Sequence, residues 1–305
     1  MWLNANDMTN HDPEDTAQQR TYRAFEALID GEDSAIDLLQ AALLIASIEY
    51  PDLDAPACLG KIDELARRVR TALALSDPVS QPQLPADLDH VKVIEALNQV
   101  LFREEHFHGN RRDYFNPHNS FFHKVVEMHT GIPITLSLLY LEVGRRVGLE
   151  IEGVALPFQF VVRLRLPADL LVYVDPYEQG LILSEDACKQ RILRMSRGRI
   201  KINQRWFTPV SKRLFLARML NNLKHIYLDT EDYERLLPIC DFILLLVPHY
   251  AHEWRDRGMV HLQLKHYSRA RRDLESYLEL APQADDYHEI REYLRTIRQL
   301  IARMN

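Results

Sequence analysis

Between residues 149 and 184 the chain changes its period, and nowhere else does it do so. The runs EIEGVALP, FQFVVRLRLP, LLVYVDPY and GLILS are short, rich in β-branched residues and broken by proline, glycine or a PAD turn. That pattern reads as antiparallel strands joined by tight turns. The sequence before residue 149 and after about 211 reads as helix. Immediately ahead of the strands lies PITLSLLYLEVGRRVG, apolar on most faces through Ile134, Leu136, Leu138, Leu139, Leu141, Val143 and Val147. Pro133 suits its first turn and Gly148 a left-handed stop, so it is expected to be a buried central helix on which the strands pack. The fold class that follows is α+β.

The flanking regions are helical for different reasons. Residues 1–17 are polar and acidic and are expected to form a disordered tail, with nothing resembling a signal peptide. Residues 18–77 carry two helical stripes, one in 34–48 that Ser34 can cap, and one in 55–75 through Leu59, Ile62, Leu65, Val69 and Leu73. Pro78, Pro82 and Pro85 then interrupt any helix, and a further one is expected over about 88–105. Three cysteines, Cys58, Cys188 and Cys240, are odd in number and far apart. They make neither a disulfide framework nor a zinc knuckle, which points to a cytoplasmic protein. No apolar run reaches 18 residues, so no membrane span is expected.

Charge argues against a nucleic-acid partner. The net charge is −7, whereas phosphate binding calls for a basic surface. Twelve acids against Arg20 and Arg23 make residues 1–55 strongly acidic. The one basic stretch, seven cations without an acid over 189–205, has arginines three apart and reads as the solvated face of a helix.

The C-terminal third repeats itself. Tyr233-Glu234-Arg235-Leu236 aligns with Tyr267-Ser268-Arg269-Ala270 at an offset of 34, which also maps Cys240 onto Leu274 and Pro248 onto Pro282. Thirty-four residues is the period of the tetratricopeptide helix–turn–helix. The second copy has Trp254, Gly258, Tyr267, Ala270 and Pro282 in place. The first has Lys224 where glycine would sit. Residues 212–305 are therefore assigned to tetratricopeptide-like repeats, with the amphipathic segment 285–303 as a capping helix. Two repeats are too few for a deep groove, so they are expected to brace the preceding domain and to offer a modest protein-contact surface.

Three motifs in order, GNRRDYFNPHNSFFHKVVEMHTGIPITLSLLYLEVGRRVGL, GVALPFQFVVRL and YVDPYEQGLIL, resemble the SirB-type bacterial family. The likeness runs from about residue 35 to 282. The resemblance implies a papain/transglutaminase-like core over 88–205, with a central helix on an antiparallel sheet and C-terminal tetratricopeptide repeats. In the wider superfamily a cysteine opens the helix, a histidine lies on the next strand and an aspartate on the strand after. Carried across residue by residue, the nucleophile position is Pro133. The base position, in a stretch the family writes Gly-His-Phe, is Gln159 of Phe158-Gln159-Phe160, and only Asp175 keeps its residue type. A proline has no nucleophile and a glutamine amide cannot accept a proton near neutral pH.

The catalytic set is thus degenerate, and the chain is expected to be a pseudoenzyme that acts through a protein partner. The alternative is a hydrolase or acyl-transfer enzyme built on Asp175, Thr135 and Ser137. Its difficulty is that a helical hydroxyl without a neighbouring base is inert. Asn110, Asn116, Asn119, Glu142, Arg145 and Arg146 match polar positions of the family and are the binding candidates, with structural duties as the competing role. His106, His108, His118, His123 and His129 cluster within 24 residues, but none has the i,i+4 spacing of a helical metal pair. No cofactor and no metal are expected.

Overall fold

The computed structural model describes residues 15–75, 84, 85, 87–166 and 169–304. Helix α1 (Asp15–Ile29) lays Tyr22 and Phe25 on the ring of Phe242, 5.8 and 4.5 Å between centroids. Residues 15–17, placed in the tail by the sequence, belong to this helix. Once one turn is pinned by packing, each further residue adds a hydrogen bond at little cost. Helix α2 (Leu38–Ser47) is buried on nearly every face and is capped by Asp37, whose side chain accepts from the Gln40 N–H at 2.9 Å. Ser34 does not cap it. The preceding turn is held elsewhere, because the Asp33 carboxylate accepts the backbone N–H groups of Lys212 and Arg213 at 2.8 and 2.9 Å.

Helix α3 (Ala55–Ala72) starts at the Asp54 cap. The connector prolines 78 and 82 lie outside the described residues. Helix α4 (His90–Asn98) is shorter than expected and loosens into a π-type turn over Gln99–Glu104. Strands β1 (His108–Gly109) and β2 (Thr130–Gly131) pair in parallel around helix α5 (Phe122–Met128). Helix α6 (Pro133–Val147) is the buried helix, ended by Gly148 at φ +112°, a backbone conformation that costs other residues free energy.

The sheet is a four-stranded antiparallel meander of β3 (Ile151–Leu156), β4 (Gln159–Leu166), β5 (Leu170–Asp175) and β6 (Leu181–Leu183). Alternation splits its side chains between two layers. Phe160, Val162, Leu164 and Val174 join the core of α6. Val154, Leu156, Val161 and Tyr173 pack with Cys188 and Ile192 of helix α7 (Glu185–Met195) on the other face. Of the basic stretch, Lys189 and Arg191 pair with acids on or beside α7, while Arg194, Arg197, Arg199, Lys201 and Arg205 lie exposed.

The repeats follow as α8 (Lys212–Asp229), α9 (Tyr233–Leu246), α10 (Ala251–Gln263) and α11 (Tyr267–Leu280), with α12 (Tyr287–Met304) over the end. Helices α9 and α11 begin and end 34 residues apart, as the sequence offset requires. At Gly258 an added Cβ would lie 2.9 Å from the Leu274 side chain, so only glycine lets α10 and α11 approach this closely. The equivalent Lys224 of α8 is buried and reaches Glu253 at 2.5 Å and Asp256 at 2.7 Å on α10. The position that joins two helices of one repeat has become an ion pair between repeats.

The repeats do brace the domain before them. One continuous apolar core runs from Phe25 through α6 and the sheet to Val260. Phe215 of α8 meets Phe160 edge-on at 4.9 Å, and the Tyr227 hydroxyl donates to Glu49 at the end of α2.

Candidate functional site

The loop entering α6 sets the geometry around Pro133. His129 ends α5 with a left-handed φ of +56°, and the chain then pairs beside β1, the Asn110 N–H donating to the Gly131 carbonyl at 3.0 Å. Pro133 takes the first helical position. One residue pair inside, the Thr135 hydroxyl donates to the Asn119 carbonyl at 2.8 Å and accepts the Ile132 N–H at 3.1 Å. One turn after Pro133, the Ser137 hydroxyl is directed at the Phe160 carbonyl at 3.3 Å. Both side chains are fully buried. Their hydroxyls tie the helix to its neighbours, and no titratable base lies among their partners.

Gln159 begins β4. It is 8% exposed, and its amide Nε2 has no hydrogen-bond partner. Asp175 ends β5 on the same sheet face as Tyr173, toward α7. Only 3% of it is exposed. One carboxylate oxygen accepts the N–H groups of Tyr177 and Glu178 at 3.1 and 3.2 Å, capping the turn Pro176–Glu178, and the other accepts from Arg191 of α7 at 2.8 Å. Burial raises its pKa above the usual carboxylate value, opposed by Arg191 and the turn N–H groups. The residue that keeps its type is thus a turn cap and half of an ion pair.

The six binding candidates form two separate groups. Asn119 is buried, donates to the carbonyls of Asp113 and Tyr114 at 2.7 and 3.1 Å, and accepts from the Asn110 amide at 3.1 Å. Asn110 accepts the Asp113 N–H at 3.0 Å. Asn116 accepts the His118 N–H at 2.9 Å and donates to the Asp113 carboxylate at 2.9 Å. These asparagines build the loop before α5, which an Asx-turn reading allows. Glu142 lies nine residues beyond Pro133, about 13 Å along the helix. It pairs with Arg146 at 2.7 Å and Arg145 at 3.5 Å, and Arg146 goes on to Asp63 of α3 at 2.7 Å. This second group fastens α6 to α3. The histidines disperse too: His129 stacks on Phe107 at 4.4 Å, while His118 and His123 both face Tyr50.

All three thiols are buried. Burial pushes Cys58 and Cys188 up to about 11 and Cys240 up to about 12. A thiol needs the opposite shift to be a nucleophile near neutral pH.

Sequence reasoning missed the rim of this site. Phe158 occupies the turn between β3 and β4 at φ +66° and is 56% exposed, where the resembling family writes glycine. Such a conformation is unfavourable for a bulky residue. Beside it, Arg218 of α8 lies over the Phe160 ring at 5.8 Å and is directed at the Leu156 carbonyl at 3.5 Å. Tyr114 is near enough to Arg218 to feel its charge, and packs edge-on with Phe115, itself 68% exposed. The one signal available was an aromatic in a proline turn, L-P-F-Q.

Comparison with known proteins fits this geometry. A profile described as transglutaminase-like superfamily matches residues 56–221, and one described as tetratricopeptide repeat matches 223–295. A UPF0162 protein of Xylella fastidiosa is 33% identical over 266 residues, 86% of this chain and 90% of the relative. The UPF0162 protein of Vibrio cholerae is 26% identical over 255 residues, 84% and 90% of the two chains. F-box only protein 21 of Mus musculus is 33% identical over 168 residues, 52% of this chain and 26% of its own length. On these matches, and on a central helix backed by an antiparallel meander, the chain belongs to the transglutaminase-like superfamily, among the UPF0162 proteins, with tetratricopeptide repeats at its C-terminal end.

Proposed function

We propose that this protein is a non-catalytic transglutaminase-like protein of the cytoplasm that works as an interaction or regulatory adaptor. The observation that carries the reading is the condition of Asp175, sealed from solvent and bonded to Arg191 and to its own turn. An orienting acid must face a base, and here the base position is an amide and the nucleophile position a proline. The buried, high-pKa thiols supply no substitute. The enzymatic alternative draws no support from Thr135 and Ser137, whose hydroxyls are engaged with backbone groups. The polar candidates Asn110, Asn116, Asn119, Glu142, Arg145 and Arg146 serve structure on this reading. A protein partner meets instead the aromatic rim of Tyr114, Phe115 and Phe158 with Arg218. An exposed phenylalanine held at a left-handed turn has no packing reason to be there.

The test is turnover. Purified protein is incubated with amine-donor and peptide substrates, with and without a thiol-blocking reagent. No turnover above background is expected in either arm. Turnover abolished by the reagent overturns the proposal, and the modified cysteine names the residue responsible. Turnover that survives the reagent revives the hydroxyl alternative.

A further inference from the structure

Helix α7 and the run that follows it form one basic face. The turn after α7 is tied back on it, the Gly198 N–H donating to the Leu193 carbonyl at 2.9 Å and the Ser196 hydroxyl to the same oxygen at 3.1 Å. From there the chain returns along the helix, because the Gln204 amide donates to Glu185 in the first turn of α7 at 2.9 Å. Ile200, Ile202 and Trp206 turn inward and pack on the second apolar core, with Cys188 and Ile192. Arg199, Lys201 and Arg205 alternate with them and stay exposed, as do Arg194 and Arg197 at the end of the helix. The cations are thus strung beside a helix about 16 Å long, on a backbone held in place from beneath.

The acids nearest in sequence are engaged elsewhere. Glu185 and Asp186 hold Lys189, while Asp175 and Glu178 hold Arg191. Among the described residues none of the five exposed cations forms an ion pair. Exposure alone does not account for this, since the exposed Arg67, Arg111 and Arg295 pair with Glu64, Glu178 and Glu292. In a chain of net charge −7, a row of unpaired cations is a local field of the opposite sign, complementary to an anionic partner.

The apolar groups of the face say which kind. Leu193 and Met195 are 39% and 54% exposed in the last turn of α7, on either side of Arg194. A phosphate backbone makes no use of such side chains. Nor does the stretch offer an open ring on which a base could stack, since Phe207 is buried and Trp206 is packed on the core. Carboxylates interspersed with aliphatic side chains match both parts of the surface.

We propose that residues 193–205 dock an acidic, amphipathic segment of a protein partner. Its carboxylates lie on the five cations, and its aliphatic side chains on Leu193 and Met195. The face is built without any residue of the aromatic rim. The inference rests on the adaptor reading for its partner, and it names the chemistry that partner presents.

The probe is a fluorescein-labelled peptide of repeating Glu-Leu-Glu, titrated by anisotropy into the full-length protein at low ionic strength. The same peptide with glutamine for glutamate and a single-stranded oligothymidylate are the controls. The acidic peptide should bind and weaken as salt is added, and the glutamine peptide should not bind. Arg199→Glu with Lys201→Glu, both at exposed positions outside any ion pair, should weaken the acidic peptide about tenfold or more, since like charges then oppose one another. Met195→Ser should weaken it less and leave a polyglutamate peptide unaffected. Unchanged affinity in the double variant or in Met195→Ser, equal binding of the glutamine peptide, or oligothymidylate binding at least as tight as that of the acidic peptide each overturn the inference. Thiol-dependent turnover, by contrast, would overturn the adaptor reading and leave this titration unaffected.

Discussion

Asp175 and His123 are both more than nine-tenths buried, and there the likeness ends. Around Asp175 each carboxylate oxygen is engaged, by two turn N–H groups and by Arg191. Around His123 both nitrogens are unmet. A buried polar group that is fully bonded belongs to the architecture, and removing it leaves partners stranded. One that is unbonded has given up its hydration without a replacement and costs the fold free energy. By this measure Asp175 belongs to the architecture, while His123 is a buried group that folding leaves unmet.

That contrast can be broken by opposite signs. Asp175→Ala should cost about 2–4 kcal/mol, since it uncaps a turn and strands the Arg191 guanidinium against it. Chemical denaturation measures this, and a loss below about 0.5 kcal/mol would mean the aspartate is not the fastener described here. Acid supplies the second test. Burial draws His261 down to about 4 despite Asp273, and lowers His123 as well. A native pKa below the unfolded one gives stability that is whole above about pH 6.5 and is lost as the pH falls toward 4. The expected loss is on the order of 1–3 kcal/mol, followed as Tm against pH, and His261→Phe should flatten most of it. An unchanged acid slope in that variant would count against a neutral buried His261.

Smaller effects sharpen the same comparison. Thr135→Val keeps the shape but strands the Asn119 carbonyl and the Ile132 N–H, at about 1–2 kcal/mol. His123→Phe removes no hydrogen bond, so it should leave stability unchanged or raise it by up to about 1 kcal/mol. A loss comparable to that of Thr135→Val would show that the imidazole is satisfied after all. Phe158→Gly should gain about 0.5 kcal/mol by relieving the left-handed turn. It should also weaken partner capture if the rim is the docking face, and a variant that is less stable would mean that the exposed ring is packed.

Much of this was readable along the chain. The single switch from helical to strand period located the sheet, because alternation of apolar residues is a local pattern. The offset of 34 matches the spacing of α9 and α11, since a repeat copies its own element lengths. Pro133 and Gln159, by their atoms alone, are what the proposal of a non-catalytic protein starts from. The cap of α2 was not readable in this way. Ser34 and Asp37 both suit a cap, and the choice fell to Asp37 because Asp33 is drawn to the N-terminus of α8, some 180 residues on. Nor was the choice for Glu142 between an arginine partner and exposure, which Arg146 decides by pairing with it and with Asp63.

By itself, then, the sequence determined where the main sheet lies between helical regions, the period of the repeats, and which residue types stand at Pro133, Gln159 and Asp175. Those properties follow from spacing and atom type, which need no partner. Only the tertiary structure decided that Asp175 faces α7, that Lys224 replaces a glycine contact with an ion pair between repeats, and that His123 is left unbonded. Each of these depends on what lies opposite a side chain, and in a folded chain the residue opposite comes from a distant part of the sequence.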